Sequence, residues 1–291
     1  MSKPRQKISL ILGSGGARGL AHIGAIHFLE EHNFEIASIA GSSMGALVGG
    51  AYATGKLTAL EEWLLSINKA AMFSLIDVAW NKAGLVKGEK IINTLREILG
   101  EQDIENLPIP FTVVASDIQA GKEVWLSSGC LFNAIRASIS MPLFFTPYIH
   151  HGVALIDGGV LNPVPIAPTF RDKTDLSIAI NLGGPVDESL NQPNHTDLDQ
   201  QDKSNDIFSK LMRGLGSKTE DAVPSLGAYD IANQAIDAMQ ETIARQKLAA
   251  YPPDYLIEIP RNICGILDFH RAEEMIDFGY QQASTALQEL I

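Results

Sequence analysis

The chain has 291 residues, 46% of them apolar and 19% charged, with a formal net charge of −12. That length and apolar content support one globular domain with an ample core. The acidic balance argues against a nucleic-acid partner, which wants a basic face, and against permanent electrostatic docking on anionic lipid; only transient contact with a membrane surface is left open.

Lys3, Arg5 and Lys7 precede only a short apolar run and Arg18 soon follows, so no signal peptide is expected. Cys130 and Cys264 are the two cysteines and lie outside any Cys-x-x-Cys pair. They read as reduced thiols of a cytoplasmic protein, with no metal or cofactor motif.

Ile8 to Leu12 is an apolar strand. It runs into Gly13-Ser14-Gly15-Gly16-Ala17-Arg18-Gly19, which opens a helix from Leu20 to Glu31. Such a loop turns backbone N–H groups toward an anion at a helix N-terminus. The anion is a phosphate or the oxyanion of an acyl-transfer intermediate. A dinucleotide fingerprint fails, because the sixth position counted from Gly13 is Arg18.

Next come a strand at Ile36 to Ala40, the pentapeptide Gly41-Ser42-Ser43-Met44-Gly45, and a helix at Ala46 to Thr54. Gly-x-Ser-x-Gly between strand and helix is a nucleophile elbow, with Ser43 central and Gly41 and Gly45 small where strand and helix cross. Residues 36–55 carry no charge, but their five glycines and three serines argue against a membrane helix.

Helices are expected at Thr58 to Lys69 and Glu89 to Leu99, strands at Phe111 to Ala115 and Lys122 to Leu126, and a helix from Cys130 to Ser140. Val153 to Ile156 is a short strand ending in Asp157-Gly158-Gly159, and Leu176 to Leu182 is another. Between Asp187 and Asp206 stand six acids, one lysine and only two large apolar residues, the composition of a mobile surface loop. Tyr255 to Ile259 reads as a strand, and a stripe from Ala272 to Leu290 as a docked helix. The alternation predicts an α/β layered fold with a central, mostly parallel sheet flanked by helices.

The glycine-rich loop, the serine elbow and the later Asp157-Gly158-Gly159 together resemble the patatin-like phospholipase family. The resemblance extends through Arg18-Gly-Leu-Ala-His-Ile-Gly24, the run from Ala134 to Pro142, and Asn162-Pro163-Val164-Pro165. It implies a single patatin-like domain over 1–291, with core motifs at 8–182, the acidic loop at about 187–206, and a C-terminal helical region at about 229–291. One departure is Ser14, where the family usually has glycine.

The resemblance also implies a serine acyl hydrolase that cleaves lipid carboxylic esters without cofactor. Ser43 would be the nucleophile and Asp157 its direct base, with backbone N–H groups of Gly15, Gly16 and Ser14 as oxyanion donors. Arg18, Gly19, Gly41, Gly45, Gly158 and Gly159 would be supporting motif residues. Arg18 holds the oxyanion loop, attracts a phosphate headgroup, or has a solvated or salt-bridged structural role. A Ser–Asp–His triad remains open on chain order, since His270 follows Asp157; His22, His150 and His151 read as capping or core residues. The other open alternative is a catalytically weak regulatory or scaffolding protein that keeps the fold. Two apolar stretches, Trp63 to Trp80 and Met141 to Ile149, are candidates to hold an acyl chain.

Overall fold

The computed structural model describes residues 5–69, 89–142, 144–191 and 228–291. Within them eight strands form one sheet: β1 (Gln6–Leu12), β2 (Phe34–Ser42), β3 (Phe111–Asp117), β4 (Lys122–Leu126), β5 (Tyr148–His150), β6 (Val153–Asp157), β7 (Leu176–Gly184) and β8 (Tyr255–Pro260). The path is β5-β6-β3-β2-β1-β7-β8, with β4 added beside β3. The five strands from β3 to β8 along this path are mutually parallel; β4, β5 and β6 pair antiparallel.

Side-chain alternation assigns the two faces. Ile8, Leu10 and Leu12 of β1 belong with Ile178, Ile180 and Leu182 of β7 to the main core, which also takes in α1 (Ala21–Glu31), α2 (Met44–Ala53) and α7 (Ala272–Ala286). Ile11 and Ala179 point the other way. They pack with Val164, Ile166 and Ala244 of α6 (Ala228–Ala250). The sheet is therefore the middle of three layers, as the parallel, two-sided apolar strands predict. The remaining helices, α3 (Leu57–Leu65), α4 (Glu89–Leu99) and α5 (Leu131–Ser138), follow β2 and β4.

The register of β3 delivers the functional residues. β4 runs along β3 from Val113 to Asp117 and so fills one edge. The other edge is shared: β2 covers it up to Val114, opposite Ser42, and β6 takes it from Ala115, opposite Asp157. Because β6 runs against β2, the two strand ends meet head-on, and Asp157 arrives at the turn that carries Ser43.

Most boundaries fall within two or three residues of the sequence reading. β2 extends into the pentapeptide, α2 starts at Met44 rather than Ala46, and α3 stops at Leu65 rather than Lys69. Strand β5 is absent from the sequence reading: three residues on an edge are too few to show alternation. Of the acidic segment, Glu188–Asn191 forms a 3-10 turn, and the Asp187 N–H is bonded to Asn262 Oδ1 at 3.0 Å; the rest, 192–206, lies outside the described residues. No helix among the described residues is long and apolar enough to cross a membrane.

Candidate active site

The turn after β2 holds Ser43 at φ 54°, ψ −122°, a left-handed conformation that costs a non-glycine residue energy. The surrounding contacts enforce it. The Ser43 N–H donates to Ser138 Oγ at 2.8 Å, and Ser138 Oγ donates to the Val114 carbonyl at 2.6 Å. The Ser43 carbonyl accepts the N–H groups of Ala46 and Leu47, starting α2. Ser43 thus sits at the positive end of a helix dipole. A Cβ on Gly45 would stand 2.1 Å from the Leu12 carbonyl oxygen, so only glycine lets α2 start this close to β1.

Ser43 Oγ donates to Asp157 Oδ2 at 2.5 Å, and both residues are buried. The second carboxylate oxygen accepts the Gly159 N–H at 2.7 Å. Burial pushes the Asp157 carboxyl up to about 6, against the opposing hydrogen bonds from Ser43 and Gly159. No histidine contacts this pair among the described residues. His22 is fully buried, and its Nε2 pairs with the Gly13 carbonyl at 2.8 Å. Burial lowers its pKa to about 4, so the ring is neutral and donates to that carbonyl. His270 lies in the 3-10 turn Phe269–Arg271, with Asp268 at its N-cap, and its charged neighbours are Asp268, Lys69, Arg271 and Glu274.

The glycine-rich loop lies beside the elbow. Ser14 is the correction to the sequence reading, since its N–H is committed to the Pro163 carbonyl at 2.8 Å. The N–H groups of Gly15 and Gly16 have no acceptor among the described residues. Gly16 has φ +57°, and a Cβ there would meet the Ile266 carbonyl oxygen at 2.5 Å. Arg18 is buried. Its Nε donates to the Gly15 carbonyl at 3.1 Å and Nη1 to the Arg261 carbonyl at 3.2 Å, while Nη2 stands 3.7 Å from Asp237. Of the three options for Arg18, holding the loop and a salt bridge are both observed. Gly19 packs against Met44, while Gly41 lies against Gly45 and Gly158 against the Val114 carbonyl.

Ser43, Asp157 and Gly16 line one cavity of about 120 Å³ whose other walls are apolar. Trp63 and Leu64 come from the first anticipated apolar stretch, and Met141, Phe144 and Phe145 from the second. Phe73, Leu75, Ile76 and Leu143 lie outside the described residues, and Leu65 is exposed. Ile91 and Leu95 of α4 and Ile266, Leu267 and Phe269 also line it. Sequence reasoning missed those five, and missed Ser138 and His22 as supports of the elbow and loop. The spacing of Ile91 and Leu95 signals a helix face but not what it lines.

The patatin-like phospholipase family model matches residues 10–170. An uncharacterized NTE family protein of Mycobacterium tuberculosis is 37% identical over 336 aligned residues, covering 99% of this chain and 92% of that protein. A Saccharomyces cerevisiae protein named lysophospholipase NTE1 is 24% identical over 294 residues; the match takes in 98% of this chain but 17% of that protein. Among solved structures, VipD from Legionella pneumophila is similar over 99% of this chain and 68% of its own, with 15% identity and a TM-score of 0.44. With a family match over more than half its length and a relative this similar from end to end, the chain belongs to the patatin-like phospholipase family.

Proposed function

We propose that the protein is a serine acyl hydrolase of lipid carboxylic esters, of phospholipase A or lysophospholipase type, working through a Ser43–Asp157 dyad. The observation that carries this reading is the 2.5 Å bond from Ser43 Oγ to a buried carboxylate on the wall of an otherwise apolar cavity. Family membership and the name of the yeast relative support the lipid ester as substrate.

In this reading Asp157 Oδ2 takes the Ser43 proton as Oγ attacks the ester carbonyl carbon. The carbonyl oxygen becomes an oxyanion, met by the uncommitted N–H groups of Gly15 and Gly16 and by the start of α2. The intermediate collapses, and protonated Asp157 gives its proton to the departing alkoxide. Water then attacks the Ser43 acyl-enzyme with Asp157 again as base, releasing a fatty acid. An ordinary carboxylate, with a pKa of ~3.9, is a weak base for an alcohol. A value of about 6 strengthens it while leaving it ionised at neutral pH.

The test is intact mass after treatment with a fluorophosphonate, with the adduct mapped, followed by turnover of phosphatidylcholine and lysophosphatidylcholine. An adduct on Ser43 with release of fatty acid supports the reading. A folded protein with neither is the scaffolding alternative.

Three further results are expected. Asp157 must be ionised to accept a proton, so kcat/KM rises with pH and levels off above an inflection near 6. An inflection at ~4, the unperturbed carboxyl value, would contradict a buried base. Gly16→Val, which removes the left-handed turn and strikes the Ile266 backbone, lowers kcat by about 10²-fold or more with KM little changed. Ser14→Gly keeps its turnover, because the N–H to Pro163 survives. A folded Gly16→Val protein with normal kcat would remove the loop from the mechanism.

A further inference from the structure

We infer that Asp237, on α6, is a positioning residue for catalysis that acts through Arg18 on the peptide joining Gly15 to Gly16. The inference rests on the reading above, in which the Gly16 N–H faces the oxyanion.

In a planar trans peptide the carbonyl of one residue and the N–H of the next point in opposite directions; no cis bond occurs among the described residues. Arg18 Nε holds the Gly15 carbonyl. The Gly16 N–H of the same peptide is thereby turned away from Arg18, and Gly16 itself lines the cavity it shares with Ser43. A flip of this peptide would replace the N–H donor with a carbonyl oxygen, which repels an oxyanion. Glycine on both sides leaves such a flip sterically easy, so an outside group must prevent it. His22 on the Gly13 carbonyl and Pro163 on the Ser14 N–H fix the Gly13–Ser14 peptide, two bonds earlier along the loop, in the same manner from both of its ends.

Arg18 in turn needs holding. Its guanidinium is buried, and burial alone disfavours its charge; Asp237 is the foremost opposing influence. The Arg261 carbonyl takes Nη1, so the three nitrogens of the fork reach three elements: the loop, the end of β8 and α6. Glu241, one turn beyond Asp237, pairs with Arg261 and so fastens the same helix to the same corner. Asp237 is 46% exposed while Arg18 is 8% exposed. The anchor is therefore reachable from outside, and it does not line the cavity of Ser43 and Asp157. Ser14, Arg18, Asp237 and Arg261 line a separate polar cleft there, of about 90 Å³.

The experiment uses the full chain and a short-chain nitrophenyl ester, with Asp237→Asn, Arg18→Lys, the double variant and Gly16→Val, each checked by melting temperature and circular dichroism. Asp237→Asn is expected to lower kcat about tenfold with KM unchanged and folding intact. Arg18→Lys, which keeps the charge but loses the fork, lowers kcat at least as far. The double variant is no worse than Arg18→Lys alone, because Asp237 acts only through Arg18. With the matching thionoester, whose sulfur makes poor use of oxyanion donors, the penalty of Asp237→Asn shrinks. Wild-type kcat in Asp237→Asn beside an inactive Gly16→Val overturns the coupling and spares the oxyanion reading. Wild-type kcat in both overturns the two together. Additive losses in the double variant, or a penalty confined to KM, overturn the route through Arg18.

Discussion

Ser43→Ala abolishes ester hydrolysis and fluorophosphonate labelling and leaves the protein folded. The backbone of residue 43 performs the structural tasks: its N–H meets Ser138, and its carbonyl starts α2. Alanine keeps both. The side chain makes one hydrogen bond, to Asp157. The loss in turnover is about 10⁴-fold or more, since the remaining donors have no attacking oxygen to assist. Ser42→Ala is the paired control. Ser42 Oγ is buried against Gly158, has no hydrogen-bond partner among the described residues, and does not line the cavity. Removing an unsatisfied buried hydroxyl is close to neutral for stability or slightly favourable. Activity therefore persists in Ser42→Ala. Labelling that survives Ser43→Ala but vanishes in Ser42→Ala would reverse the assignment.

What is legible in the sequence is local. The elbow, the glycine-rich loop and Asp157-Gly158-Gly159 are each a strand end running into a tight turn, and turns are written in consecutive residues. That Ser43 and Asp157 meet comes from the family resemblance, because nothing in either segment states that β2 and β6 share one edge of β3. The supports are less visible. Ser138 is one small residue in an amphipathic helix, and its hydroxyl gains a role only when α5 packs against β3. His22 looks like any core histidine until the Gly13 carbonyl is seen above it. Ser14 reads as a donor because the loop pattern counts N–H groups; it cannot show that Pro163, some 150 residues later in the chain, has taken one. Asp237 falls in a stretch that the sequence marks only as part of a C-terminal helical region. In each case the missing information is tertiary: which partner a polar atom finds, not which residue carries it.

Dyad and triad differ in the turnover of their variants, and a buried base also leaves a mark on stability. Asp157→Asn lowers turnover by about 10²- to 10⁴-fold, the range for loss of a positioned general base, because an amide cannot take the serine proton. His270→Ala keeps its turnover, since that ring touches neither Ser43 nor Asp157. His22→Ala loosens the Gly13 carbonyl and lowers activity, yet the inflection of its pH profile stays where Asp157 sets it. The folded carboxyl titrates at about 6 and the unfolded one at ~3.9. Between those values the folded state binds more protons than the unfolded state, so stability falls as pH rises from ~4 to about 6 and is flat above. The fall is about 3 kcal/mol, from about two pKa units at 1.36 kcal/mol each. The amide that replaces the carboxylate in the variant carries no such charge, and its oxygen still accepts the Gly159 N–H. Asp157→Asn therefore loses most of its turnover yet melts above the wild type at pH 8, with the gap closing toward pH 4. Thermal melts across that range, beside turnover of a nitrophenyl ester by each variant, decide the matter. A folded His270→Ala protein without turnover, or an Asp157→Asn protein with it, would end the dyad reading.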